Sequence, residues 1–348
     1  MLGFLKRKLL NWLRLTDQPA IKIYNGFGDS KNVTVFGHVF ALGPKPKKHY
    51  TSNVFTNTFA LIRLFVVKTI PGIEVYVEVN GREVKTRSEK DGFFRIQWQV
   101  DEMPAAGWHA VTVRSRDSYE GQPIAEGHGH FHVPFTRYYT VISDIDDTFL
   151  VSHSANMRKR LFVLLTENAR SRQPFDGVVK HYRLLAHAGS KPEEPNPFFY
   201  VSSSEWNLYD YISEFSKEHE LPRGIYLLSQ IKKFSEAYKT GQNKHATKFM
   251  RIARIIEAYP QQKFILLGDD SQQDPVIYRS ITEHFPGKIR AVYLRHVYRK
   301  NVQVAKDSIK AMQDAGISCC HFVHSRDAIE HSIREGIVTA EQTSMIGK

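Results

Sequence analysis

Between Ile21 and Pro134 the apolar positions fall in short runs, several of them alternating with polar residues. Val33-Thr-Val-Phe-Gly-His-Val-Phe, Phe59 to Lys68, Glu74-Val-Tyr-Val-Glu-Val, Phe93-Phe-Arg-Ile-Gln-Trp and His109-Ala-Val-Thr-Val are all of strand length. A period of two puts every second side chain on one face, the pattern of a half-buried strand. Asn80-Gly81 marks a hairpin between Val79 and Glu83, while Asp91-Gly92 and Pro104 to Gly107 mark turns. Asn25-Gly26-Phe27-Gly28 also reads as a turn, because it lacks the third glycine and the βαβ setting of a dinucleotide fingerprint. Strands at this spacing predict an antiparallel β-sandwich, immunoglobulin-like in outline.

From Arg137 onward the pattern changes. Tyr139-Thr-Val-Ile, Phe198-Phe-Tyr-Val and Lys263-Phe-Ile-Leu-Leu read as buried strands, and residues 156–170, 176–187 and 249–259 have helical periodicity. Alternating elements of this kind predict an α/β fold built on a parallel sheet. The expected division is residues 1–20 as a basic amphipathic segment, 21–136 as the β-sandwich and 137–348 as the α/β unit, with a cap insertion around 150–196. The interval Leu221 to Asn243 reads as a mobile basic loop or lid; its Lys232, Lys233 and Lys239 are most simply a solvated face.

The candidate chemistry lies at the ends of these strands. Ser143-Asp144-Ile145-Asp146-Asp147-Thr148 places two carboxylates two residues apart, where open α/β sheets bind ligands. Such close carboxylates repel unless a cation or a shared proton offsets them. Ser202-Ser203-Ser204 ends the second strand, Lys248 opens a helical segment, and Gly268-Asp269-Asp270-Ser271-Gln272-Gln273-Asp274 ends the third. In this order the four pieces resemble the haloacid dehalogenase superfamily. More closely, the blocks Ser143 to Thr148, Phe199 to Tyr209 and Phe264 to Asp274 resemble the magnesium-dependent phosphatidate phosphatases related to the yeast actin-patch phosphatase, especially their bacterial relatives. The likeness runs from about Gln122 to Tyr298. Glu205 stands where the family usually has Pro, and Thr247-Lys248 where it often has His-Lys, so Lys244, one helical turn earlier, is an alternative lysine.

That resemblance implies a haloacid-dehalogenase-like catalytic domain and a role for each motif residue. Asp144 is the nucleophile and forms an aspartyl-phosphate, and Asp146 is the general acid and base. Ser202 binds a phosphoryl oxygen, and Lys248 neutralises the transferring group. Mg²⁺ is the implied cofactor, with Asp144, Asp146 (through its carbonyl), Asp269 and Asp270 as metal-site residues. Asp270 and Asp274 orient metal waters or the lysine, though a helix-capping role suits Asp270 nearly as well. Asp147 has no mechanistic slot, and Thr148 holds the loop.

Charge and length change the picture further. The chain has 348 residues, enough for two cored domains, and carries 48 basic against 36 acidic side chains, a net +12 with a pI near 9.5. A basic surface attracts polyanions, yet no zinc-finger spacing, RNP motif or long basic run supports nucleic acid as a partner. The two cysteines, Cys319 and Cys320, are adjacent and suggest a reducing, cytoplasmic setting. No run is long enough to span a membrane. Leu2, Phe4, Leu5, Trp12 and Leu13 mix with Lys6, Arg7, Lys8 and Arg14, so this segment either lies on an anionic membrane or packs on the protein itself. Arg158, Lys159 and Arg160 either grip phosphate or form a solvated helix face. His128, His130 and His132 share one strand face without an evident carboxylate partner for a metal. Phosphatidate hydrolysis at a membrane is the leading expectation. A phosphatase of soluble phosphomonoesters or phosphoproteins, and a catalytically vestigial binding module, are the alternatives.

Overall fold

The computed structural model describes residues 15–16, 19–29, 31–44, 68–102, 104–116, 123–135, 139–145, 174–229, 244–297 and 302–345. Asp146, Asp147, Thr148, Arg158, Lys159, Arg160, Lys232, Lys233 and Lys239 lie outside the described residues. So do residues 1–14, the run 59–67, the expected helix over 156–170 and the Lys244 side chain.

Two sheets organise the chain. The first contains nine described strands: β1 (Leu15–Thr16), β2 (Ala20–Gly28), β3 (Asn32–Pro44), β4 (Lys68–Thr69), β5 (Glu74–Val79), β6 (Arg82–Arg87), β7 (Phe93–Gln99), β8 (Gly107–Arg116) and β9 (Pro123–Val133). Its hydrogen-bonded path runs β1–β3–β2–β9–β8–β5–β6, with β4 and β7 also paired to β3. The curl brings Val33 and Val35 of β3, Phe94 and Ile96 of β7, Val75 of β5 and Val113 of β8 into one apolar core. Strict alternation in β7 produces this burial, its Phe94, Ile96 and Trp98 pointing inward and Arg95, Gln97 and Gln99 outward.

Two expectations fail here for local reasons. The sheet is not wholly antiparallel: β9 returns beside β2, and Gly26 and Phe27 pair parallel with Phe131 and His132. Asn25 to Gly28 is not a turn but the end of β2, where the register to β3 slips between Tyr24 and Phe27. Gly26 is needed at this irregularity, since a Cβ there would lie 2.3 Å from the Thr34 carbonyl oxygen.

The second sheet is parallel throughout. It comprises β10 (Tyr139–Ser143), β11 (Phe198–Glu205), β12 (Gly224–Ser229), β13 (Lys263–Asp269), β14 (Ile289–Arg295) and β15 (Ser318–Phe322), in the order β12–β11–β10–β13–β14–β15. Its helices are α1 (Val178–Ala186), α2 (Tyr209–Glu218), α3 (Lys244–Ala258), α4 (Asp274–His284), α5 (Val302–Asp314), α6 (Ser325–Arg334) and α7 (Ala340–Met345). Strand β12 corrects the loop expected over 221–243, because Ile225 to Leu228 is an apolar run buried beside β11. The chain order reverses between β10 and β13, so the carboxyl ends of these two neighbours flank the crevice where such sheets bind ligands. No helix among the described residues is long and apolar enough to cross a membrane.

Strand β2 joins the two sheets. The Tyr24 ring stacks on Trp206 at 4.1 Å, and Phe27 meets Phe199 edge-on at 5.4 Å. Polar contacts fix the seam: Tyr259 donates its hydroxyl to the Gly28 carbonyl at 2.9 Å, and Asn25 Nδ2 donates to the Gly224 carbonyl at 2.9 Å. His38 lies in this seam, 2.9 Å from the Tyr24 hydroxyl, and its pKa is lowered to about 3 by burial and then by Lys22. His181, under α6, is likewise lowered to about 3 by burial and then by Arg295.

A histidine with a depressed folded pKa contributes stability above its unfolded pKa and loses that contribution as pH falls through the folded value. The window here runs from about pH 6.5 down to about 3. Each pH unit below 6.5 is expected to remove up to about 1.4 kcal/mol per histidine. Urea unfolding of wild type and His181→Gln at pH 7 and pH 5 checks this: the acid loss shrinks in the variant, and equal losses contradict the assignment.

Candidate active site

Four side chains from four elements meet at the reversal of strand order. Asp144 follows β10, and its backbone N–H donates to the Leu267 carbonyl at 2.8 Å, which pins it against β13. Asp269 ends β13, Asp274 begins α4, and Lys248 lies in the second turn of α3. All four are buried: Asp144, Asp269, Asp274 and Lys248 have exposures of 2%, 0%, 1% and 7% respectively. One carboxylate oxygen from each aspartate lies within 4.8 Å of the other two.

Lys248 links the group. Its Nζ donates to Asp144 Oδ1 at 2.7 Å and also to Asp274 Oδ1. Burial alone would depress its pKa, but Asp144 and then Asp274 outweigh that and hold the ammonium above the usual lysine range. The N-terminus of α4 favours negative charge on Asp274, and the missing N–H of Pro275 falls in a first turn that has no use for it. Gly268 makes room for that carboxylate, because a Cβ there would lie 2.5 Å from Asp274 Oδ2 and 2.8 Å from the Tyr278 ring.

Among the described residues, three carboxylates gather about the Lys248 ammonium. The pKa of Asp269 is pushed up to about 8 by burial and then by Asp274, against the pull of Ser271 and Lys248. Asp274 Oδ2 is buried without a hydrogen-bond partner among the described residues. A hard divalent cation with oxygen ligands fits this donor set.

The other expected residues fall elsewhere. Ser202 is buried at the carboxyl edge of β11, its Oγ accepting the Ser204 N–H at 2.9 Å. Asp270 leaves β13 on the opposite face and contacts His296 and His321, and the residue capping α4 is Gln273. His128, His130 and His132 do lie along β9, but among the described residues they form no ligand group: His128 is exposed beside Glu126, whereas His132 packs on Trp108. Sequence reasoning missed Gly268, which is legible only once Asp274 is seen to fold back over it. It also missed His296 and His321, whose signal is a histidine at or just past each of two buried runs.

Lys248→Met strands two buried carboxylates and is expected to cost about 3–5 kcal/mol in urea unfolding without added metal. Gly268→Ala is expected to cost about 1–3 kcal/mol through overpacking against Asp274 and Tyr278. Wild-type stability in either variant contradicts the corresponding contact.

Residues 139–296 match the family model for the catalytic domain of phosphatidate phosphatase APP1. The chain is 26% identical over 245 residues to phosphatidate phosphatase APP1 of Saccharomyces cerevisiae, covering 67% of this chain and 40% of that protein. An uncharacterized protein of Schizosaccharomyces pombe is 24% identical over 160 residues, covering 45% of this chain and 25% of its own length. The chain therefore spans less than half the length of either relative. A bacterial immunoglobulin-like domain from the M. primoryensis ice-binding adhesin aligns with 34% of this chain and 96% of its own, at 14% identity and a TM-score of 0.18. The chain is thus similar in sequence to an APP1-type phosphatidate phosphatase, and residues 139–296 match the model of that protein's catalytic domain.

Proposed function

We propose that this protein is a Mg²⁺-dependent phosphatidate phosphatase of haloacid-dehalogenase type, hydrolysing phosphatidate to diacylglycerol and phosphate. The observation that carries the proposal is the convergence of Asp144, Asp269, Asp274 and Lys248 in one buried group at the β10/β13 reversal. The APP1 match and the net charge of +12 support a phospholipid substrate.

Asp144 and Asp269 would hold Mg²⁺ (with the Asp146 carbonyl), and the ion would supply the positive charge that lets a carboxylate approach a phosphoryl group. The Asp144 carboxylate attacks phosphorus, and the bond from phosphorus to the glycerol oxygen breaks. Asp146 donates its proton to the departing alkoxide, giving diacylglycerol and an aspartyl-phosphate. Asp146 then takes a proton from a water that attacks phosphorus, which releases inorganic phosphate and restores Asp144. Lys248 stays protonated throughout, screening Asp144 before attack and the phosphoryl oxygens after it. Ser202 binds a phosphoryl oxygen, and Asp274 holds the Lys248 ammonium in place.

Phosphate release from phosphatidate in mixed micelles, compared with release from sugar phosphates, tests the substrate. Phosphatidate is expected to be preferred, and equal or faster hydrolysis of the soluble esters overturns the lipid assignment. Asp144→Asn is expected to lower kcat by at least about 10⁴-fold, as when a nucleophile is removed, and chelation of Mg²⁺ is expected to abolish turnover reversibly. Peripheral binding through residues 1–15 is checked by liposome sedimentation with phosphatidate-containing vesicles: deleting them reduces binding, and unchanged binding contradicts the anchor.

A further inference from the structure

The carboxyl edge of the parallel sheet carries a second group of metal-type ligands, turned away from Asp144. Asp269 and Asp270 are consecutive at the end of β13, so their side chains leave on opposite faces. Asp269 joins Asp144 and Asp274, whereas Asp270, fully buried, joins His296 and His321. Asp270 Oδ2 lies 2.5 Å from His296 Nδ1 and 3.1 Å from His321 Nε2. Its Oδ1 accepts the Val297 N–H at 2.7 Å. One ligand atom from each of the three residues lies within 4.8 Å of the other two.

Strand register explains why three distant positions converge. Asp269 pairs with Arg295, which puts Asp270 beside His296. Leu294 pairs with His321, so His321 and His296 are two residues apart in level and share a face. The Asp270 N–H donates to the Arg295 carbonyl at 3.0 Å and the His296 N–H to the Phe322 carbonyl at 2.7 Å, locking the strand ends together.

We propose that Asp270, His296 and His321 form a binding site for a zinc-class divalent cation, separate from the Mg²⁺ site proposed above. Two imidazole nitrogens and a carboxylate oxygen are donors that zinc and its neighbours accept, whereas Mg²⁺ prefers oxygen alone. With zinc bonds near 2.0–2.1 Å, tetrahedral ligand atoms stand about 3.4 Å apart, the scale of the spacing here. Three protein ligands leave a fourth position for water or an exchangeable ligand. The imidazoles are 27% and 19% exposed, which gives the ion a route in, while the carboxylate is buried. The competing arrangement is a purely hydrogen-bonded trio in which both imidazoles donate to Asp270.

The test uses the full chain, stripped with a chelator and titrated with Zn²⁺ in excess Mg²⁺. Wild type and Asp144→Asn are expected to bind one Zn²⁺ each, with zinc-edge X-ray absorption showing two imidazoles. The double variant His296→Gln/His321→Gln keeps side-chain N–H donors for Asp270, so its zinc-free melting temperature stays near wild type. Its Zn²⁺ affinity is expected to fall about 100-fold or more, beyond the range of outer-shell changes alone. No zinc uptake by wild type, unchanged affinity in the double variant, or an oxygen-only absorption spectrum would each overturn the site. The readouts are metal affinity and coordination, so they stand or fall independently of the phosphatase reading.

Discussion

Lys248 sits where an ammonium would ordinarily be costly, among side chains almost closed to solvent, and it is held there by Asp144 and Asp274. Neither partner is tolerable alone. A buried lysine without carboxylates would give up its proton, and two buried carboxylates without a cation would take one up. The pairing therefore dictates geometry: β10 and β13 must be adjacent, α3 must cross their ends, and α4 must start close to the end of β13. Gly268 is part of the same constraint, since a Cβ there would press on Asp274 Oδ2 and on the Tyr278 ring.

The same strand end separates two kinds of chemistry. One backbone step from Asp269 to Asp270 carries the chain from an all-carboxylate group to one containing two imidazoles. Hard oxygen donors lie on one side and borderline nitrogen donors on the other, so the two sites proposed above would select cations of different character by ligand type. The group of Asp270, His296 and His321 hangs from ladders of parallel strands, whereas the carboxylate group also draws Asp274 from the start of α4.

The curled sheet is coupled to this centre through aromatic packing. Trp206, at the start of the helical turn that follows β11, is clamped by Tyr24 of β2, and Phe27 reaches Phe199 within β11 itself. Strand β11 also carries Ser202, so its position is set partly by a sheet that, among the described residues, contributes nothing to the carboxylate group. Aromatic contacts suit this task because they bury a large area in a defined geometry.

Much of the architecture was legible in the linear pattern. Period-two alternation located β5, β7 and β8, and buried runs located β10, β11 and β13, because local spacing and burial are linked by backbone geometry alone. The acidic motifs were legible because carboxylates grouped at the ends of buried strands repel one another unless a cation sits among them. Lys248, by contrast, was singled out through the superfamily resemblance, with Lys244 as the alternative. Strand β12 was missed because its apolar run is short and lies next to a lysine-rich stretch. What the sequence could not decide was every relation across the chain. The parallel return of β9 beside β2, the pairing of Lys248 with Asp274 and the meeting of Asp270 with His296 and His321 depend on which strands become neighbours and in what register. Those choices come from packing the whole core at once, and a one-residue slip of β13, β14 or β15 would turn Asp270, His296 or His321 to the opposite face.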